Sequence, residues 1–264
     1  MDLGLAGATA VVQGGSQGMG RAAAECFAAE GARIGVLARD RAELDKTVAR
    51  LLELGAADAV ALPADVTRLE EVEAAFRTVR DRWGELNILV NAAGPSGGGG
   101  FESLSDDDWV RVLDSGALGM VRCVRAALPL LRAAAWGRIV NVAAQSTKRQ
   151  SPSLVAYTAA KSVVTSVTKN LAQSLAKDEI LVNTVSPGAV LSGTLAAWAR
   201  RNGLDADDPY AVMAGITEII GHPAFLPRAG TPPEVGRVIA FVASKANGYM
   251  TGANINVDGG SDFC

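Results

Sequence analysis

The chain of 264 residues is 49% hydrophobic, 20% charged and only 5% aromatic, which supplies a large buried core without the apolar excess of a membrane protein. Its 25 Lys and Arg stand against 28 Asp and Glu, a net charge of −3, with no basic stripe to neutralise phosphates, so nucleic-acid binding is not expected. Three widely spaced cysteines, Cys26, Cys123 and Cys264, and the single histidine His222 read as reduced thiols in a cytoplasmic protein with neither a disulfide framework nor a metal site.

The segment MDLGLAGATAVV has neither a basic leader nor a run of about 18 apolar residues, so secretion and membrane spanning are not expected. Short β-branched runs then alternate with longer stretches of helical period. The runs predict strands over Ala8–Gln13, Arg33–Ala38, Ala59–Pro63, Ile88–Asn91, Arg138–Val142, Leu181–Val185 and Asn254–Val257. Helices are predicted over Gly18–Glu30, Arg41–Leu54, Leu69–Trp83, Asp107–Leu131, Val155–Lys177 and Pro233–Ala243, from apolar residues three and four apart. Ser105 precedes the fourth as a cap, and Asp106, Asp107 and Asp108 sit where the positive end of the helix dipole favours negative charge.

Seven strands alternating with helices imply one domain over residues 1–264, a doubly wound α/β fold whose seven-stranded parallel sheet lies between two helix layers. Two stretches depart from the pattern. Gly97–Gly100 follows a strand end and reads either as the border of a ligand cleft or as a plain surface loop. Residues 191–227 break the alternation, carry Trp198, Tyr210, Met213 and Phe225, and form a candidate substrate lid.

The first predicted strand runs into QGGSQGMG, residues Gln13–Gly20, whose Gly14, Gly18 and Gly20 precede a helix. By itself this is compatible with an ordinary strand-to-helix turn. At the first strand of a doubly wound pattern it reads as a phosphate loop, in which backbone approaches a pyrophosphate and helix-terminal amides face its charge. The second strand ends in Leu37-Ala38-Arg39-Asp40, with no carboxylate at Ala38 and a planar guanidinium at Arg39, which suits a ribose 2′-phosphate. Asp40 either accepts a ribose hydroxyl or caps the next helix.

Tyr157 and Lys161 lie four apart and project from one helix face. Such pairs occur on many solvated helices. Where they act together, the ammonium is expected to lower the phenol pKa from about 10 and ready it for general acid or base work.

With these features in one chain, the sequence resembles the short-chain dehydrogenase/reductases, and among them the 3-oxoacyl-carrier-protein-reductase-like members, from about Ala6 to Ser261. Further marks of the resemblance are Asp65-Val66, Asn91-Ala92-Ala93-Gly94, Ser186-Pro187-Gly188, and Thr251-Gly252 followed by Val257-Asp258-Gly259-Gly260. The resemblance implies a Rossmann-like fold and a nicotinamide cofactor, NADPH favoured by Arg39 and NADH the alternative. Gly14, Ser16, Gln17, Gly18, Met19 and Gly20 would hold the pyrophosphate and adjoining ribose. Asp65 and Val66 would meet the adenine, and Asn91, Ala92 and Gly94 the adenosine ribose. Pro187, Gly188 and Val190 would border the nicotinamide, with Ser192 offering a hydroxyl where the family has threonine. Lys161 would bind the second ribose and tune Tyr157.

Three positions depart from the family. Gln13 replaces a threonine, which changes the bracing of the turn. Ala144 stands thirteen residues before the tyrosine, at the place of the catalytic serine, and cannot bond a substrate oxygen. Loss of such a donor typically costs about 10²–10³-fold in rate. Ser146 is the candidate substitute, and Gln145 offers an amide. Gly116 stands where an asparagine usually supports the lysine.

The leading expectation is an NADPH-dependent carbonyl reductase, or the reverse alcohol dehydrogenase, with Tyr157 as acid and base. Leu195, Trp198, Met213 and Phe225 hint at a hydrophobic ketone, or are ordinary core and subunit contacts. The alternative is a cofactor-binding, catalytically weak protein with a regulatory or assembly role, motivated by Ala144 and Gly116. Related proteins pair their long helices into dimers and tetramers, so a homotetramer or homodimer is expected. His222 reads as a loop residue ahead of a base. Lys148-Arg149 and Arg200-Arg201 read as solvated charge ahead of an anion site.

Overall fold

A computed structural model describes residues 2–95 and 98–264, so Gly97 of the glycine run lies outside the described residues. Strands β1 (Thr9–Gln13), β2 (Arg33–Ala38), β3 (Asp58–Pro63), β4 (Ile88–Asn91), β5 (Gly137–Val142), β6 (Ile180–Pro187) and β7 (Asn254–Val257) form one sheet in the order β3-β2-β1-β4-β5-β6-β7. All its pairings are parallel. The chain steps outward from β1 through β2 to β3, then returns to the other side of β1 for β4. A crevice therefore opens between the carboxyl ends of β1 and β4, the place where ligands bind in open parallel sheets.

Side chains alternate across the sheet, so each strand feeds two cores. On one face Ala10, Val12, Ile34, Val36, Ile88, Val90 and Val140 pack with Phe27 of helix α1 (Gly18–Ala29), Leu44 of α2 (Arg41–Glu53) and Ile239 of α9 (Pro232–Val242). On the other, Val11, Leu37, Leu89, Ile139 and Val182 pack with Phe76 of α3 (Leu69–Trp83), Val124 of α5 (Gly119–Ala133) and Val164 of α6 (Val155–Ser174). These are the expected two helix layers. Both faces being covered, the strands are almost continuously apolar, which is why they were readable.

Several starts and stops obey local chemistry. Asp40 accepts from the Glu43 amide and caps α2. Helix α4 (Asp106–Leu113) opens with Ser105 and Asp108 in a reciprocal capping box, with three aspartates in its first turn. One expectation is corrected: the helix foreseen over Asp107–Leu131 is interrupted by a π-helical turn, Asp114–Leu118, before α5 resumes. Gly116 lies in that turn against Pro95; a Cβ there would sit 2.7 Å from two of the proline ring carbons. Likewise α6, foreseen as the fifth helix over Val155–Lys177, ends at Ser174 and tightens into a 3₁₀ turn at Ala176–Asp178.

Residues 191–227 hold two helices, α7 (Gly193–Arg201) and α8 (Pro209–Ile220). Asp208 caps α8 ahead of Pro209, and Gly221 ends it in the left-handed conformation. Ala199, Val212, Met213, Ile216 and Ala229 make this region a small core of its own.

Candidate active site

The carboxyl ends of the strands border one cavity of about 2040 Å³, larger than the usual ~300–1,000 Å³ of a small-ligand pocket. Its floor is the β1–α1 loop. Gly14 has φ +77°, and a Cβ on it would lie 2.4 Å from the Ala93 amide nitrogen; one on Gly20 would lie 2.4 Å from the Gly14 carbonyl oxygen. Backbone thus packs on backbone, and only glycine fits. Among the described residues no side chain caps α1, and Gly18, Met19 and Gly20 of its first turn line the cavity. Gln13 braces this turn through its own side chain: its buried Oε1 accepts the Ala93 amide at 2.9 Å.

Of the cofactor residues expected from the sequence, Gly14, Ser16, Gln17, Gly18, Met19 and Gly20 line the cavity along the loop. Arg39, Asp65, Val66, Ala92 and Gly94 line it beyond β2, β3 and β4, and Pro187, Gly188, Val190 and Ser192 beyond β6. Asn91 is the exception. It is buried away from the cavity, and its Nδ2 donates to Asn141 Oδ1 at 2.8 Å while Asn141 Nδ2 donates to Thr168 Oγ1. Asn91 therefore ties β4 through β5 to α6, because the side chain of a strand's last residue points into a layer and not along the strand. Exposed Arg39 stands near Asp65, whose carboxyl is held below its usual range by the Thr67 amide and hydroxyl, with the charges of Arg39 and Arg68 adding to them. Since Asp40 caps α2, the second of its two expected roles is the one observed.

Tyr157 and Lys161, one turn apart on α6, both reach the cavity, with Lys161 Nζ 6.0 Å from the phenol ring centre. Lys161 is buried and donates to the Val142 carbonyl at 2.7 Å, fixing the amine at the end of β5. Burial brings its pKa down to about 8. The expected lowering of the phenol pKa is not found: burial pushes Tyr157 up to about 12, which keeps it a neutral proton donor. The lysine charge lies beside the ring face and does not offset that desolvation.

Ala144 is buried in the cavity wall and presents only a methyl group. In the 3₁₀ turn that follows, Gln145–Thr147, Ser146 also reaches the cavity, but its buried Oγ accepts from Thr158 Oγ1 at 3.1 Å. That bond occupies an acceptor site and leaves the hydroxyl proton free. Gln145 lines the cavity with its Oε1 buried and without a partner among the described residues. Gly116 offers no group to Lys161, whose amine instead bonds backbone directly.

Leu195, Trp198, Met213 and Ile216 give the cavity an apolar wall from α7 and α8. Phe225 does not join them: it is exposed and stacks on Phe263, ring centres 5.2 Å apart. Tyr210 is also exposed. Gly98 borders the cavity, as the cleft reading of the glycine run required. His222 lines it too, its pKa lowered by burial and by nearby Arg149. Lys148 is bonded to Asn256 and Arg149 to backbone carbonyls, while Arg201 lines the cavity. Among the described residues no cluster of three or more His, Cys, Asp or Glu side chains is placed to hold a metal.

Comparison with known proteins agrees with this arrangement. The family model described as enoyl-(acyl carrier protein) reductase matches residues 14–262. The short-chain reductase protein NovJ of Streptomyces niveus is 33% identical over 95% of this chain and 92% of its own length. A 3-oxoacyl-[acyl-carrier-protein] reductase of Synechocystis is 32% identical over 97% of each chain. The L-sorbose reductase of Gluconobacter frateurii, solved with NADPH and L-sorbose, superposes with a TM-score of 0.92 over 100% of both chains at 28% identity. The chain belongs to the short-chain dehydrogenase/reductase family of oxidoreductases.

Proposed function

We propose that the protein is an NADPH-dependent carbonyl reductase acting on a ketone with an apolar portion, the reverse alcohol oxidation being the same chemistry run backward. The observation that carries this is the placing of Tyr157 and Lys161 at the wall of a cavity whose floor is the glycine loop. The amides that open α1 would hold the pyrophosphate, Arg39 the 2′-phosphate, and Lys161 the ribose next to the nicotinamide. Ser192, whose hydroxyl caps no helix amide, is free for the carboxamide. When bound, NADPH supplies the hydride that leaves nicotinamide C4 for the carbonyl carbon. Tyr157 donates its phenolic proton to the carbonyl oxygen, burial keeping that proton in place until then. The NADPH complex of the sorbose reductase supports the choice of cofactor.

Helices α7 and α8 are read as the substrate lid over a single domain. The exposed Leu118 and Val163, in the π turn and α6, support self-association into a dimer or tetramer. No described helix is long and apolar enough to cross a membrane. Fluorescence titration with NADPH and NADH, followed by a ketone screen of wild type and Tyr157→Phe, tests the reading. Tighter NADPH binding and a loss of about 10²–10⁴-fold in turnover for the variant are expected. Equal turnover by the variant would assign the proton to another group, and cofactor binding without any turnover would favour a regulatory protein.

A further inference from the structure

Arg149 follows the 3₁₀ turn Gln145–Thr147, which is tied to α6 by the bond between Ser146 and Thr158. Its half-buried guanidinium makes three hydrogen bonds among the described residues, all to backbone carbonyls of two other segments. Nη1 donates to Ser261 at 3.0 Å and to Pro223 at 3.4 Å, and Nη2 donates to Gly221 at 3.4 Å. Ser261 belongs to the stretch after β7, whereas Gly221 and Pro223 are where the chain leaves α8. A planar fork of donors can join two segments in this way, where an ammonium acts as a point charge. The cation also sits where the negative end of the α8 dipole favours it.

The stretch after β7 is turned on itself and anchored. The Asp258 carboxylate accepts from the Gly260 and Asp262 amides, and Lys148 Nζ donates to Asn256 Oδ1. The same stretch meets the exit of α8 directly, because the Leu226 amide donates to the Gly259 carbonyl at 3.0 Å and Phe225 stacks on Phe263. Helices α7 and α8 pack on each other through Ala199, Val212, Met213 and Ile216, a core distinct from the two that flank the sheet, so their place depends on how they are attached. The base of the region is held by backbone, in the parallel bridge between Val190 and Gly230. The far end of α8 is held by Arg149 and the stretch after β7. Met213, Ile216, Ile219 and Ile220 of α8 line the cavity, so the hold on that end sets where this wall stands.

We infer that Arg149 is a positioning residue for the substrate: by joining the carboxyl end of α8 to residues 258–264, it keeps the wall that α8 contributes in place along the cavity. The inference rests on the reading of α7 and α8 as the substrate lid of a reductase. A ketone then binds to a wall already in place, and freeing α8 weakens substrate binding while leaving the proton donor and the glycine loop as they are.

Three variants test this: Arg149→Met, which keeps the stem and loses every donor; Arg149→Lys, which keeps the charge without the fork; and Phe263→Ala, which loosens the same junction from its other side. Hydrogen exchange of the full chain, read by mass spectrometry, is expected to quicken about 10-fold at residues 214–226 in Arg149→Met, while the amides of β1, β4 and β5 exchange as in the wild type. Arg149→Lys is expected to recover only part of that protection, and Phe263→Ala to lose a smaller share of it. On a ketone that the wild type reduces, KM is expected to rise about 3–10-fold in Arg149→Met, with kcat and NADPH affinity within about 2-fold. Unchanged exchange at α8 in Arg149→Met overturns the inference. So does exchange that quickens equally throughout the sheet, which is what mere loss of stability would give. Full protection in Arg149→Lys overturns it by making charge alone sufficient, and a rise in KM with exchange unchanged would place Arg149 on the substrate instead. Should Arg149→Met not fold, α8 protection left intact in both Arg149→Lys and Phe263→Ala overturns it. Quickened exchange at α8 in a protein that binds NADPH but reduces no ketone upholds the junction and counts against the reductase reading, so the two fail separately.

Discussion

Gly116→Ala isolates the packing that replaced the family's asparagine. The added Cβ would meet Cγ and Cδ of Pro95 at 2.7 Å and Ala160 Cβ at 3.1 Å, well inside the ~3.5–4.0 Å at which carbon atoms pack favourably. Overpacking of this kind costs about 1–3 kcal/mol, whereas alanine in a helical turn gains up to about 1 kcal/mol over glycine. The steric term wins, with a net loss of about 1–2 kcal/mol, or about 2–8 °C in Tm for a chain of this size. Pro95→Ala deletes both ring carbons, so Gly116→Ala in that background is expected to be neutral or slightly stabilising. Thermal melts of the four proteins would show a coupling of about 1–3 kcal/mol. A Tm that rises in Gly116→Ala alone, or strict additivity of the two changes, would refute this account. The same clash predicts that Gly116→Asn does not restore a helper for Lys161 unless Pro95 is changed with it.

Arg39→Ala is expected to weaken NADPH binding by about 10–100-fold, the worth of a charge-assisted contact, and to leave NADH nearly unaffected; an equal loss for both in fluorescence titration would deny Arg39 a part in reading the 2′-phosphate. Lys161, whose folded pKa of about 8 lies below its ordinary 10.5, binds fewer protons folded than unfolded between those values, so it makes stability rise with pH there. Tyr157 at about 12 against an ordinary 10 has the opposite effect above pH 10. Denaturant melts should therefore show wild type gaining on the order of 2 kcal/mol relative to Lys161→Met from pH 8 to 10, and a flat difference would refute the burial cost. Asp58 accepts from Arg82 Nε and Nη2 at 2.7 Å each and from Trp83 Nε1 at 2.9 Å, and its pKa falls to about 2. Asp58→Asn should cost about 1 kcal/mol at pH 7, given a partly exposed pair. Because the folded pKa is depressed, that difference should fade as pH drops from about 4 to 2.

The fold was legible because strands covered on both faces are apolar throughout and the helices keep a clear period. The π turn was not legible. Nothing local in Asp114-Ser115-Gly116-Ala117-Leu118 announces it, and the Pro95 ring that its Gly116 packs against belongs to a different loop. The glycine loop was readable because close backbone approach admits only one residue type, whereas the spacing of the tyrosine and lysine gave only a common helix face and the family resemblance singled them out. The phenol pKa was misjudged for a reason that spacing cannot carry: whether a neighbouring charge outweighs burial depends on where the amine points, and the Val142 carbonyl holds it.

The departures from the family become intelligible as substitutions made in company. Gln13 loses a short hydroxyl but reaches the Ala93 amide, so the crevice between β1 and β4 stays pinned. Gly116 loses an amide and admits Pro95, while Lys161 takes its bond from strand backbone. Ala144 loses a hydroxyl beside Gln145, whose amide oxygen is buried without a partner among the described residues, and Ser146, whose hydroxyl oxygen accepts from Thr158. In the first two cases the neighbour meets the need within the protein. In the third, Ser146 is the hydroxyl that the following turn brings to the cavity wall. The change at Ala144 thus removes one hydroxyl from the cavity wall while Tyr157 and Lys161 stay in place along it.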